Sequence, residues 1–169
     1  MARPLENEYP TFYKNYIDKT NGDSIKELIN NYANQFNNFI ESIPLEKQDF
    51  AYATDKWTVK DLLQHLIDTE RVFVYRATRF SRKDKTDLPG FDENDYARNA
   101  HAGEKNFKDL ASEILALRKS TDLFLQNLSD EQLAQTGTAN GKEITVNAIA
   151  FIIYGHFIHH KNILQERYL

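Results

Sequence analysis

The stretch V146-N-A-I-A-F-I-I-Y-G-H-F-I-H-H-K-N-I163 decides the fold. Val146, Ile149, Ile153, His156, His160 and Ile163 recur three or four positions apart, the spacing of one helix face. That face is a core-facing seam, and two of its positions are imidazoles. Four residues is just over one helical turn, so His156 and His160 point the same way, about 6 Å apart along the axis. Their ring nitrogens can then meet one metal ion at about 2.0–2.1 Å. An imidazole on an apolar seam must find a hydrogen-bond partner or bind something. His159 is rotated about 100° from His160 and reads as a surface or interface histidine.

Three further stretches show the same periodicity. After N21-G-D-S24, Asp23 or Ser24 can cap a helix, with Glu27 in capping-box position. Ile25, Leu28, Ile29, Tyr32, Phe36, Phe39 and Ile43 form its stripe, and Pro44 marks its stop. The second helix opens at Trp57, with Thr58 as N-cap and Asp61 in the first turn. Its face carries Val59, Leu62, Leu63, Leu66, Phe73, Ala77 and Phe80. A third runs from about Asn106 to Leu128 with a seam through Phe107, Leu110, Ile114, Leu117, Thr121, Phe124 and Leu128. Four amphipathic helices predict an all-α four-helix bundle. A long connection, residues 81–103, separates the second and third. Asn140-Gly141 in the next connection has turn chemistry that allows a short hairpin.

Composition narrows the function. The 169 residues suit one domain spanning 1–169, whose N-terminal arm, about 1–22, carries Tyr9, Phe12, Tyr13 and Tyr16 and is expected to pack on the bundle. The net charge of −4, without a basic block, argues against nucleic-acid binding. The absence of cysteine removes disulfides, thiolate metal sites and a cysteine nucleophile, and fits a cytoplasmic protein. The opening residues have no apolar core of a secretory leader, and no run is long enough for a membrane span.

A catalytic metal site needs three protein ligands and an open position. His65, on the flank of the second helix stripe, is either a third ligand or a hydrogen-bonded core histidine. His101 lies in the long connection and reads as solvated unless that loop folds over the bundle mouth. Glu70 sits inside an apolar stripe, where an acid is costly to bury. It is either ion-paired to an arginine such as Arg76 or Arg118, or a carboxylate supporting the metal ligands or acting as a general base. The zinc-protease pattern fails because Phe157 stands where its glutamate would be. No Glu-x-x-His, phosphate-binding glycine loop, G-x-S-x-G or dinucleotide fingerprint occurs.

The segments K56-WTVKDLLQHLIDTERVFVYRATRFS-R82, L88-PGFDENDY-A97 and G141-KEITVNAIAFIIYGHFIHHKNILQERY-L169 together resemble the DinB-like (DNA-damage-inducible) superfamily of metal-binding four-helix proteins. Its relevant branch contains YfiT-like hydrolases and thiol-dependent transferases. The resemblance implies an up-down-down-up bundle with a crossover between helices two and three. It also implies a homodimer and a divalent ion, zinc or nickel, on three histidines. By motif, His65 joins His156 and His160. The implied activity is a low-molecular-weight-thiol S-transferase of the bacillithiol type acting on a small-molecule substrate. Metal-dependent hydrolysis is the second reading, and a non-enzymatic, metal-binding stress-response protein is the third. Phe157 departs from the family pattern, in which an acidic residue follows the first histidine of the pair. That departure weakens the transfer of any acid–base role.

Overall fold

The periodic stretches fold as helices whose starts follow from local capping. The computed structural model describes residues 1–169 throughout. Its helices are α1 (Lys14–Ile17), α2 (Ile25–Ser42), α3 (Val59–Ser81), α4 (Glu93–Ala100), α5 (Phe107–Gln126), α6 (Asp130–Leu133) and α7 (Val146–Arg167). Ser24 Oγ accepts from Glu27 N–H at 3.3 Å. Thr58 and Asp61 cap α3 reciprocally, each side chain accepting from the other's backbone N–H at 3.1 and 2.9 Å. Thr145 Oγ1 accepts from Ala148 N–H at 3.0 Å at the start of α7. Each cap satisfies a backbone donor that the helix itself leaves without a partner.

The all-helical expectation needs one addition. β1 (Thr136–Ala139) and β2 (Lys142–Thr145) form an antiparallel hairpin. Asn140 and Gly141 both take positive φ, 53° and 68°, as a two-residue type I′ turn requires. Part of the long connection is ordered too: it contains α4, and Leu88 pairs in parallel with Ala139 of the hairpin. Leu88 N–H donates to Thr138 O at 3.0 Å, and Asn140 N–H donates to Leu88 O at 2.9 Å.

α3 packs between α5 and α7, and α2 packs against those same two helices. Cross-links pair α3 with α5 and the residues just before it: Lys60 Nζ with Gly103 O at 3.2 Å, Gln64 with Lys105 at 2.6 Å, and Arg71 with Glu113 at 2.7 Å. α2 meets α7 at Tyr32–Tyr154 and Phe36–Phe157, with ring centroids 6.1 and 4.4 Å apart. α3 meets α7 with its numbering reversed: Tyr168 OH donates to Trp57 O, whereas Phe73 lies against His156.

The seam predicted for α7 is too narrow. Every residue from Val146 to Phe157 is buried. The N-terminal arm covers the face that would otherwise meet water. α1 crosses α7 so closely that a Cβ on Gly155 would overlap the Tyr16 carbonyl group and lie 3.0 Å from its Cα. Arg3 pins the arm, donating to the carbonyls of Ile17, Thr20 and Gly22 at 2.5, 3.2 and 3.1 Å. A helix apolar on all sides is what such burial requires. No helix is long and apolar enough to cross a membrane.

Candidate metal centre

The core divides into two apolar clusters. One surrounds the first half of α7, the arm, the hairpin, the start of α2 and the end of α3; the other joins the end of α2, the start of α3 and α5, and the end of α7. The histidines lie where α3 and α7 cross between them. His65 Nε2 is 3.1 Å from His156 Nε2, which is 3.0 Å from His160 Nε2, and the candidate ligand atoms of all three residues lie within 4.8 Å of one another. His156 and His160 are buried, and His65 is half-buried.

Burial holds all three below the ordinary imidazole range. His65 is lowered to about 4, chiefly by desolvation with a smaller contribution from His159. His160 is driven lower by desolvation and then by His65 and His159. His156 is held well below that range, through desolvation and then repulsion from His160 and His65. At neutral pH the trio is therefore uncharged, the form that offers lone pairs to a metal.

Hydrogen bonding alone satisfies this arrangement poorly. A neutral His156 Nε2 carries either one proton or one lone pair, so it completes at most one normal hydrogen bond with its two neighbours. A cation accepting all three lone pairs removes the conflict. Nitrogens bound tetrahedrally at about 2.0–2.1 Å lie about 3.3 Å apart, close to the observed spacing. The far nitrogens are held unequally. His65 Nδ1 has Thr69 Oγ1 at 3.4 Å, whereas His160 Nδ1 is buried without a partner.

The trio opens into a cleft of about 420 Å³, within the size range of small-molecule sites. Trp57 lies against His65 at a tilt of 42°, with ring centroids 4.7 Å apart. Thr69, Phe73 and Arg76 continue the α3 wall, Phe12, Tyr13 and Tyr16 come from the arm, and Phe91, Glu93 and Asn140 close the other side. Sequence reasoning did not assign Trp57, Arg76 or Asn140 to a site. A signal existed for Arg76: His65, Thr69, Phe73 and Arg76 fall four, four and three apart on one helix face.

The remaining candidates lie elsewhere. His159 is half-buried against Tyr16, with centroids 5.4 Å apart, and stands outside the trio. His101 is exposed, caps α4 with φ of 49°, and faces Glu104 at 3.9 Å. Glu70 is buried and accepts from Arg118 Nη2 at 2.6 Å, with no hydrogen bond to a histidine. Arg118 lies over the rings of Phe36, Tyr154 and Phe157. Phe157 itself is buried in the apolar core.

The sequence profile of the DinB superfamily matches residues 30–164. No curated protein matches the chain by sequence. Among solved structures, the fold is similar to YfiT from Bacillus subtilis, described as a probable metal-dependent hydrolase with an unusual four-helix bundle topology. The TM-score is 0.69 at 17% identity, over 96% of this chain and 89% of that one. It is also similar to a mycothiol-dependent maleylpyruvate isomerase, with a TM-score of 0.66 at 11% identity over 92% of this chain. The chain spans 63% of the isomerase's length. At these identities the likenesses establish the fold alone.

Proposed function

Because the chain belongs to the DinB superfamily, we propose that it is a metal-dependent enzyme holding a divalent ion, zinc or nickel, on His65, His156 and His160, and that it joins a low-molecular-weight thiol of the bacillithiol type to a small electrophile. The observation that carries this reading is the convergence of three uncharged imidazoles at the floor of an open cleft. When bound, the ion supplies Lewis acidity that ionises a thiol outright and a water less completely. A thiol therefore needs no carboxylate base beside it, and no carboxylate is hydrogen-bonded to the three histidines. Glu70 is committed to Arg118, Phe157 is in the core, and Glu93 is an exposed residue of the cleft wall.

In the transfer, the thiol sulfur forms a bond to carbon while the carbon–leaving-group bond breaks. The thiol proton goes to solvent and the leaving group departs with its electron pair. Trp57, Phe73 and the arm aromatics supply an apolar wall for the electrophile. The likeness to YfiT favours hydrolysis as the second reading.

The reading includes an up-down-down-up order, a homodimer and a cytoplasmic location. Two sets of contacts support the order. Residue numbers rise together along α3–α5 and α2–α7, and run oppositely along α3–α7.

Metal analysis of wild type, His156→Ala and His159→Ala after loading with zinc or nickel tests the ligands. Wild type and His159→Ala should retain stoichiometric metal, and His156→Ala should lose it. Equal metal in wild type and His156→Ala sinks the assignment. Turnover of 1-chloro-2,4-dinitrobenzene with a panel of thiols tests the reaction. Ester or amide hydrolysis without thiol turnover moves the reading to a hydrolase, and no turnover of either kind moves it to a metal-binding protein.

A further inference from the structure

Two arginines are almost wholly buried, and they differ in one respect. Arg118, 3% exposed, has the Glu70 carboxylate. Arg76, 5% exposed, forms no ion pair; its Nη2 donates to Pro89 O at 2.9 Å, and its guanidinium also interacts with the Tyr13 hydroxyl. A buried charge without a counter-charge is costly and calls for compensation. Its spare donors are also differently placed. Nε and Nη1 of Arg118 are sealed away from solvent without partners, whereas no Arg76 nitrogen is sealed in that way. Arg76 lines the same cleft as the histidines, and also a small cavity beside Tyr13, Phe73 and Ile149.

We propose that Arg76 is the binding residue for a carboxylate on the small molecule that occupies the cleft. This rests on the reading of that cleft as the functional site and names the chemical class it takes. Eleven residues turn the helix about 20° past three full turns, so Arg76 and His65 share a face with Cα atoms about 16 Å apart along the axis. The bound molecule thus carries its acid group several bonds from the atom presented to the histidines. Phe73, between them on the same wall, packs against the connecting carbons. With one N–H given to Pro89 O and one to the Tyr13 hydroxyl, three of the five guanidinium donors remain, enough for a planar, singly charged acceptor. A phosphate dianion would bring two charges to one cation, with Glu93 in the same cleft adding repulsion.

Trp57 is the only tryptophan and lines the cleft, so its fluorescence reports occupancy. The test titrates the full chain, with and without zinc, using 4-phenylbutyrate and its neutral amide, 4-phenylbutanamide. In both metal states the acid should bind at least about tenfold more tightly than the amide, as charge-assisted hydrogen bonds predict. Arg76→Gln should erase the preference while leaving amide affinity within about twofold, and Arg76→Lys should retain part of it. Equal affinity for acid and amide in wild type overturns the proposal, as does the absence of saturable acid binding. A preference seen only with zinc overturns it too, because the carboxylate would then be held at the histidines. Parallel loss of acid and amide binding in both variants would show that Arg76 merely holds the connection through Pro89. Zinc content is measured separately, so a chain that holds no metal fails the histidine assignment without deciding this one.

Discussion

Replacing Gly155 with alanine should loosen the arm from α7 while leaving the three histidines in place. The added methyl would overlap the carbonyl of Tyr16, a backbone group that cannot swing aside as a side-chain tip would. The arm must retreat by about 1 Å or more, which for a packed contact costs about 1–3 kcal/mol. Alanine in a helix interior returns about 1 kcal/mol relative to glycine. The net loss is therefore about 0–2 kcal/mol, or up to about 8 °C in Tm for a chain of this size. The local effect is larger than the global one, because α1 is a single turn whose Ile17 is buried on the bundle. Hydrogen exchange read by mass spectrometry should show faster exchange across residues 11–20, with α3 and α5 unchanged. Metal content should persist, since the candidate ligands stand on α3 and α7. Gly103→Ala is the control, because a Cβ there meets nothing within 4 Å. If Gly155→Ala shows wild-type protection across the arm, the close approach of α1 to α7 is wrong.

Two other substitutions probe the buried charges. Arg118→Met strands the Glu70 carboxylate in the core and should cost about 3–5 kcal/mol in urea denaturation. Adding Glu70→Leu should recover most of that loss, and equal losses in single and double variants would show that the pair is not what is being broken. Asp122 accepts from Tyr154 OH at 2.6 Å, yet burial raises its carboxyl above the usual range against the opposing pull of that hydrogen bond and of Arg118. The native state therefore keeps a proton that the unfolded chain has lost. Stability falls as pH rises from the ordinary Asp value through the raised one. Asp122→Asn should flatten that slope in a pH series of melts; an unchanged slope refutes the assignment.

What the sequence revealed and what it hid divide along a physical line. Periodicity and caps are local, so α2, α3, α5 and α7 were legible within a few residues of their ends. The Asn140-Gly141 turn was legible for the same reason. The spacing of His156 and His160 was legible because a helix repeats in register. His65 needed more than spacing, because its nearness to the pair depends on how α3 crosses α7, which neither helix encodes alone. Glu70 shows the same limit. Its stripe position marked it as buried, but Arg76 and Arg118 were equally good partners until packing brought α5 alongside α3.

The arm accounts for the breadth of α7's burial and links fold to site. A seam on α7 predicts a polar face opposite it, yet Ala148, Phe151, Ile152 and Gly155 lie between the seam positions. That composition already marks a helix buried all round. Covering it takes a further layer, which the aromatic arm supplies: Tyr9 and Ile17 are buried, and Tyr13 and Tyr16 pack against the core around α7. The same layer carries Tyr13 and Tyr16 into the cleft wall beside His156. Gly155 is the residue that permits this contact, immediately before His156 in the chain. Burial of α7 and enclosure of the histidines are thus one packing event. The low basicity of the three imidazoles follows from the desolvation it completes.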